Sequence, residues 1–143
     1  MFFTKSIKIK LLHKDAKVPT RAYKDAACWD LYTCEEVTIL PWQGRPINIG
    51  LAMELPKGWV AKIYTRSSHG FKGLRVHLGI IDADYRGPIS PFMLNQTPMP
   101  YTFKKGERIA QIFFEPVPRI CVKKSHRLSK TIRGEKGYGS SGK

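Results

Sequence analysis

Short runs of alternating apolar and polar residues fill most of the chain, and glycine and proline break them apart. Ile7, Ile9 and Leu11 alternate with Lys8 and Lys10. Successive side chains of a strand point to opposite faces, so this predicts a strand with one basic face. The same reasoning predicts strands at 29–33, 37–40, 47–54, 59–65, 74–78, 89–95 and 108–115. Turn signals stand between them at 42–46, 55–58, 85–88 and 104–106. A sustained helical period is absent, and only 67–72 suggests a single helical turn. Many short strands at this spacing predict an all-β sandwich, jelly roll or barrel.

At 143 residues the chain is long enough for one domain with its own core and needs no disulfide or structural metal. Its 42% hydrophobic and 11% aromatic content fits a globular protein. The net charge of +14 concentrates anions near the surface, whether nucleotide, nucleic acid or acidic lipid. Three cysteines (Cys28, Cys34, Cys121) and four scattered histidines show no zinc-ligand spacing, which predicts free thiols in a reducing compartment. No run suits a signal peptide or a membrane span, so a soluble cytoplasmic protein is expected, or one of the host cytoplasm if the gene is viral. Composition changes after Cys121, where Lys, Arg, Ser and Gly dominate. A β domain over 1–124 and a flexible arm over 125–143 are expected. Phe71, Phe113 and Phe114 are expected in the core.

Five segments carry candidate chemistry. Gly79-Ile80-Ile81-Asp82-Ala83-Asp84-Tyr85-Arg86-Gly87 runs from an apolar strand into two carboxylates, an aromatic ring and a turn glycine. Two carboxylates one residue apart share a side of an extended chain, and like charges held close oppose each other's ionisation, one way to tune a base. Arg66-Ser67-Ser68-His69-Gly70 offers a cation and hydroxyl donors for phosphate oxygens. Gly106-Glu107-Arg108-Ile109-Ala110-Gln111 and Ala27-Cys28-Trp29-Asp30-Leu31 each read, alone, as ordinary strand entries. The arm's final stretch, 133–142, places glycines around Tyr138, with Arg133 before and Ser140 and Ser141 after. That inventory suits a strand that closes over a flat ring and a phosphate.

In chain order these segments resemble the five motifs of the trimeric dUTPase family. A-G-Y-D-L stands as Ala27-Cys28-Trp29-Asp30-Leu31, R-S-G/S as Arg66-Ser67-Ser68, and G-V-I-D-x-D-Y-x-G is matched almost throughout by 79–87. G-D-R-I-A-Q has Glu107 for its Asp, and the glycine-rich fifth motif carries Lys136, Tyr138 and Ser141 as variants. The resemblance implies a β jelly roll, a homotrimer with shared active sites, and Mg²⁺-dependent hydrolysis of dUTP to dUMP and pyrophosphate. It makes Asp82 the base that activates the attacking water. Tyr85 would pack under the deoxyribose and exclude a 2′-hydroxyl. The backbone of a hairpin at Val76, His77, Gly79 and Ile80 would read uracil. Arg66, Ser67 and Ser68, assisted by Gln111, would hold the α and β phosphates. Asp30 would bond waters of the Mg²⁺. Arg133, Gly139, Ser140 and Ser141 would bind the far phosphates while Tyr138 stacks on the base. Cys28 and Lys136 replace family glycines and Trp29 a smaller ring; activity is expected to survive all three.

Two other readings remain. A dCTP deaminase shares the fold and the Arg-Ser-Ser segment, but it resembles I-D-P-G-F-x-G-x-I-T-L-E, and 87–94 here contains no glutamate. A non-catalytic binder would use the basic surface for nucleic acid or a protein; nucleic-acid binding in addition to catalysis stays open, and would weaken steeply with salt.

Overall fold

The computed structural model describes residues 4–77 and 79–138. Among the described residues there are eleven strands and one helical turn: β1 (Lys8–Leu11), β2 (Trp29–Tyr32), β3 (Val37–Ile39), β4 (Gly44–Pro46), β5 (Leu51–Glu54), β6 (Trp59–Tyr64), α1 (Ser67–Gly70), β7 (Leu74–His77), β8 (Gly79–Ile81), β9 (Phe92–Asn95), β10 (Tyr101–Phe103) and β11 (Arg108–Pro116). They form four sheets, ordered β2-β11-β6-β8, β4-β9-β7, β1-β5 and β10-β3, and every pairing is antiparallel. This is the all-β architecture that the strand pattern predicted, in the jelly-roll form that the family resemblance implied.

Alternation along the strands builds the core. Val37 and Ile39 of β3 are buried around exposed Thr38, and Leu74 and Val76 of β7 around exposed Arg75. These side chains meet Leu31, Ile47, Ile49, Leu51, Met93, Phe103, Ile109 and Ile112 in one continuous cluster. Burial of that apolar area supplies the main stabilisation.

Two strands escaped the sequence pattern. β4 lies inside the predicted turn 42–46: the turn is confined to its first residues, where Trp42 takes a left-handed φ of 59°, and Gly44–Pro46 then pairs with β9. Gly44 looks like a breaker but is a packing requirement, since a Cβ there would run into the Phe92 and Leu94 side chains. β10 follows directly on Pro98-Met99-Pro100, and those prolines make the segment read as loop. Phe71 is also not core. It ends the helical turn and is 93% exposed, while Phe113 and Phe114 are half-buried. No helix among the described residues is long and apolar enough to cross a membrane.

Candidate active site

Asp30, Gln111 and Tyr64 lie in a row across β2, β11 and β6, because Asp30 pairs with Gln111 and Gln111 with Tyr64. Two residues beyond Tyr64 the chain leaves the sheet at Arg66 and turns into α1. The Arg66 guanidinium swings back over the row, and its Nε donates to Asp30 Oδ1 at 2.9 Å. Arg108 reaches the other carboxylate oxygen, Nη1 to Oδ2 at 3.4 Å. Its placement depends on an irregularity: the β2–β11 register slips between Arg108 and Ala110, so that Ile109 and Ala110 are both buried. A bulge of this kind re-aims a side chain. Asp30 is 8% exposed, and two cations compensate its charge.

The corner is cross-tied below these ion pairs. The Arg108 carbonyl accepts from Arg66 Nη1 at 3.3 Å and from His69 Nε2 at 2.8 Å. Gln111 Nε2 donates to the Thr65 carbonyl at 3.0 Å, fixing the strand exit just before Arg66. The Thr65 hydroxyl accepts the Val76 N–H at 2.9 Å. Arg66, Ser67, Ser68, Gln111, Asp30 and Cys28 line a cleft of about 490 Å³. Arg66 and Ser68 also border a second hollow of about 390 Å³, shared with Lys72, Tyr101 and Arg108. The cations outnumber Asp30, so the corner attracts a polyanion. The exposed Ser67 and Ser68 hydroxyls add short donors. Burial raises the Cys28 thiol above its ordinary pKa, with the Asp30 charge adding to it. A larger hollow of about 520 Å³, walled by Trp29, Trp59 and Phe114, contains none of the predicted site residues.

Asp82 is built differently. It follows β8, the edge strand of the four-stranded sheet, and its carbonyl accepts the Tyr85 N–H at 3.1 Å, closing a reverse turn. Asp82 and Asp84 therefore do not sit on extended chain, and the same-side argument for the pair loses its basis. The Tyr85 hydroxyl donates to the Pro88 carbonyl at 2.9 Å, which folds the ring back over Gly87. A Cβ on Gly87 would collide with the far end of that ring, so the motif glycine lets the tyrosine fold back over it. Asp82, Tyr85 and Ile80 are exposed along this edge.

The expected hairpin through Val76–Ile80 is a change of sheet: β7 pairs with β9, and β8 with β6. The Val76 N–H is committed to Thr65, whereas the outer edge of β8 offers backbone groups with no strand beside them among the described residues. His77 is exposed and ends β7.

The two halves of the site lie far apart in one chain. Ile81 pairs with Ala61, and Asp82 runs on from Ile81 in the direction of Val60, six residues before Arg66, which lies two residues past the end of β6. At roughly 3.3 Å per residue the separation is about 20 Å. An aspartate and an arginine cannot jointly span that distance to one phosphorus atom.

In the arm, Arg133 Nε donates to the Lys136 carbonyl at 3.0 Å around Gly134, whose φ is 57°. Tyr138 is fully exposed. Gly139, Ser140 and Ser141 fall outside the described residues. Sequence reasoning gave Arg108 and His69 no role, although both stand inside the quoted segments. Conspicuous polar residues flanking Arg66 and Gln111 were the available signal.

Residues 14–142 match the dUTPase family model. The chain is 39% identical to the deoxyuridine 5′-triphosphate nucleotidohydrolase of Yarrowia lipolytica, over 96% of this chain and 89% of that one. It is 40% identical to the enzyme of the same name from Nautilia profundicola, over 96% and 99%. The dUTPase of Staphylococcus bacteriophage 80alpha, solved with dUPNHPP, superposes with a TM-score of 0.91 at 30% identity, covering 97% of this chain and 99% of that one. With the ordered motifs mapped onto a jelly roll and matched over nearly the whole length, the chain belongs to the dUTPase family.

Proposed function

We propose that this protein is a dUTP diphosphatase whose active site joins the Asp82 turn of one subunit to the Asp30–Arg66 corner of another. The observation that carries this reading is the β6–β8 register, which runs Asp82 away from Arg66 and by strand rise sets the two about 20 Å apart. Both groups are of the type needed at the α-phosphate, yet one chain cannot bring both there, so a closed ring of copies is the economical solution. A trimer fits it. We take residues 125–143 as the arm that crosses to a neighbour, a role suited to its exposed Leu128, Ile132 and Tyr138.

In this reading the Asp82 carboxylate accepts a proton from water, and the resulting oxygen attacks the α-phosphorus. The bond from that phosphorus to the bridging oxygen breaks, leaving dUMP and pyrophosphate. Arg66, Ser67 and Ser68 bind non-bridging oxygens of the α and β phosphates and hold them in line, while Gln111 fixes the strand exit behind them. Tyr85 packs under the deoxyribose. The open edge of β8, through Gly79 and Ile80, reads the uracil with backbone groups, and Val76 and His77 shape the approach. Arg133, Tyr138, Gly139, Ser140 and Ser141 close over the base and the far phosphates.

Magnesium fits this site as part of the substrate. Among the described residues no three His, Cys, Asp or Glu side chains gather as a cage, and both Asp30 oxygens face guanidinium groups. A carboxylate has about four lone-pair sites, so Asp30 can still accept from metal-bound water. Bound to the triphosphate, the ion neutralises phosphate charge and keeps several waters. The unpaired Cys28, Cys34 and Cys121 support a reducing, cytoplasmic setting.

The test is pyrophosphate release from Mg²⁺ complexes of dUTP, UTP, dTTP and dCTP. Release from dUTP alone is expected. Ammonia from dCTP would replace this reading with the deaminase.

A further inference from the structure

We infer that His69 is a positioning residue: its ring Nε2–H holds the Arg108 carbonyl that also anchors the phosphate-binding Arg66. The inference rests on the proposed role of Arg66 and adds a residue that no family motif assigns.

α1 is a single turn, and His69 is its one buried side chain. The ring packs edge-on against Phe103, with centroids 5.2 Å apart and planes at 88°. An aliphatic side chain could fill the same space. What the imidazole adds is the 2.8 Å bond to the Arg108 carbonyl. A carbonyl only accepts, so Nε2 carries the proton and Nδ1 is left bare. Nδ1 is fully buried and has no hydrogen-bond partner in the described structure. Leaving a polar atom unpaired in the interior is costly, and such an atom asks for an explanation. The explanation here is the other nitrogen. At the β2–β11 bulge the Arg108 carbonyl is open to side-chain donors, and His69 and Arg66 occupy its two lone pairs together. His69 thereby fixes the floor on which the Arg66 guanidinium rests.

The ring is faced by Arg66 and Lys72 from its own segment, by Glu107 and Arg108 at the start of β11, and by Tyr101 of β10. Burial lowers its pKa most, the bond to Arg108 works against that, and Arg66 and Lys72 lower it further. Protonation would place a second N–H at Nδ1 with no acceptor and a fourth cation beside Arg66, Lys72 and Arg108. Acidification that charges the ring should therefore displace it and loosen the Arg66 anchor.

The experiment compares His69→Gln, which keeps a donor, with His69→Leu, which keeps only bulk. KM and kcat for Mg·dUTP are measured from about pH 8 to about pH 5.5, a range that spans histidine titration. The leucine variant should raise KM about three- to tenfold, the value of one hydrogen bond, with kcat nearly unchanged. The glutamine variant should stay near wild type, and both should lose part of the wild-type rise in KM on acidification. Equal KM values in the two variants, or an unchanged acid dependence, would overturn the inference. Should the leucine variant not fold, long-range ¹H–¹⁵N spectra of the wild-type protein decide: the neutral Nε2–H tautomer is expected for His69, and the Nδ1–H tautomer overturns it. Wild-type protein inert toward dUTP would instead defeat the proposed reaction and leave the spectral result standing.

Discussion

Asp30 is 8% exposed with two guanidinium groups against it, whereas Asp82 stands exposed on a turn held by its own neighbours. The Asp30 corner is made from contacts across the fold: Arg66 lies 36 positions away and Arg108 lies 78. The Asp82 turn is made from contacts three residues long, Asp82 with Tyr85 and Tyr85 with Pro88. Each construction suits its proposed task. Holding several phosphate charges in line requires cations that do not relax, and here a buried counter-charge and a shared carbonyl lock them. A base in the proposed reaction must meet water and a moving substrate, and Asp82 is exposed at a sheet edge. Stability should then respond to one site and turnover to the other.

The widest gap between the two should come from Asp82→Asn. The variant loses the proton acceptor, and kcat should fall about 10²- to 10⁴-fold. Its melting temperature should hold, because substitutions at exposed positions usually change stability by less than about 0.5 kcal/mol. A melting temperature that drops with activity would mean that Asp82 also supports the fold. Asp30→Ala should show the reverse balance. It leaves two cations without their carboxylate, and breaking a largely buried pair should cost about 3 kcal/mol, read by denaturant titration. KM for dUTP should rise as well. An unaffected unfolding midpoint would contradict the locked-corner picture.

A finer probe is Gly87→Ala. The added methyl group displaces the Tyr85 ring, so discrimination against UTP should narrow by about tenfold, the scale of one apolar contact, with little change in stability. Competition between dUTP and UTP reads it directly. The smallest effect concerns acid. Burial lowers the His69 pKa below its ordinary value of 6.5, so the folded state favours the neutral ring. The unfolded chain then takes up protons first as pH falls. Stability that is complete above 6.5 is lost as pH drops toward the folded value. Wild-type protein should lose more stability on mild acidification than His69→Gln does.

The same contrast explains what could be read from the residues alone. The turn at Asp82 is local, so its aspartate, tyrosine and glycine announce themselves within nine positions. The strands were legible where apolar residues recurred between turn signals, as in β3 and β7. β10 was masked by the prolines just before it, and β4 was hidden by a glycine whose missing Cβ makes room for Phe92. The corner could not be read. Nothing in Gly106–Gln111 says that a register slip turns Arg108 onto an aspartate in β2, because the slip depends on how two distant strands pair. Phe71 failed for a related reason: an aromatic ring after a helical turn looks like core until the direction of that turn is known.

Mixed assemblies test the shared site most directly. Asp82→Asn and Arg66→Ala subunits, each nearly inactive alone, would be unfolded together in equal amounts and refolded, and dUTP turnover then measured. If Asp82 of one subunit works with Arg66 of another, random assembly restores about a quarter of the sites, and activity should return to about that fraction of wild type. A mixture no more active than its two components apart would contradict the account.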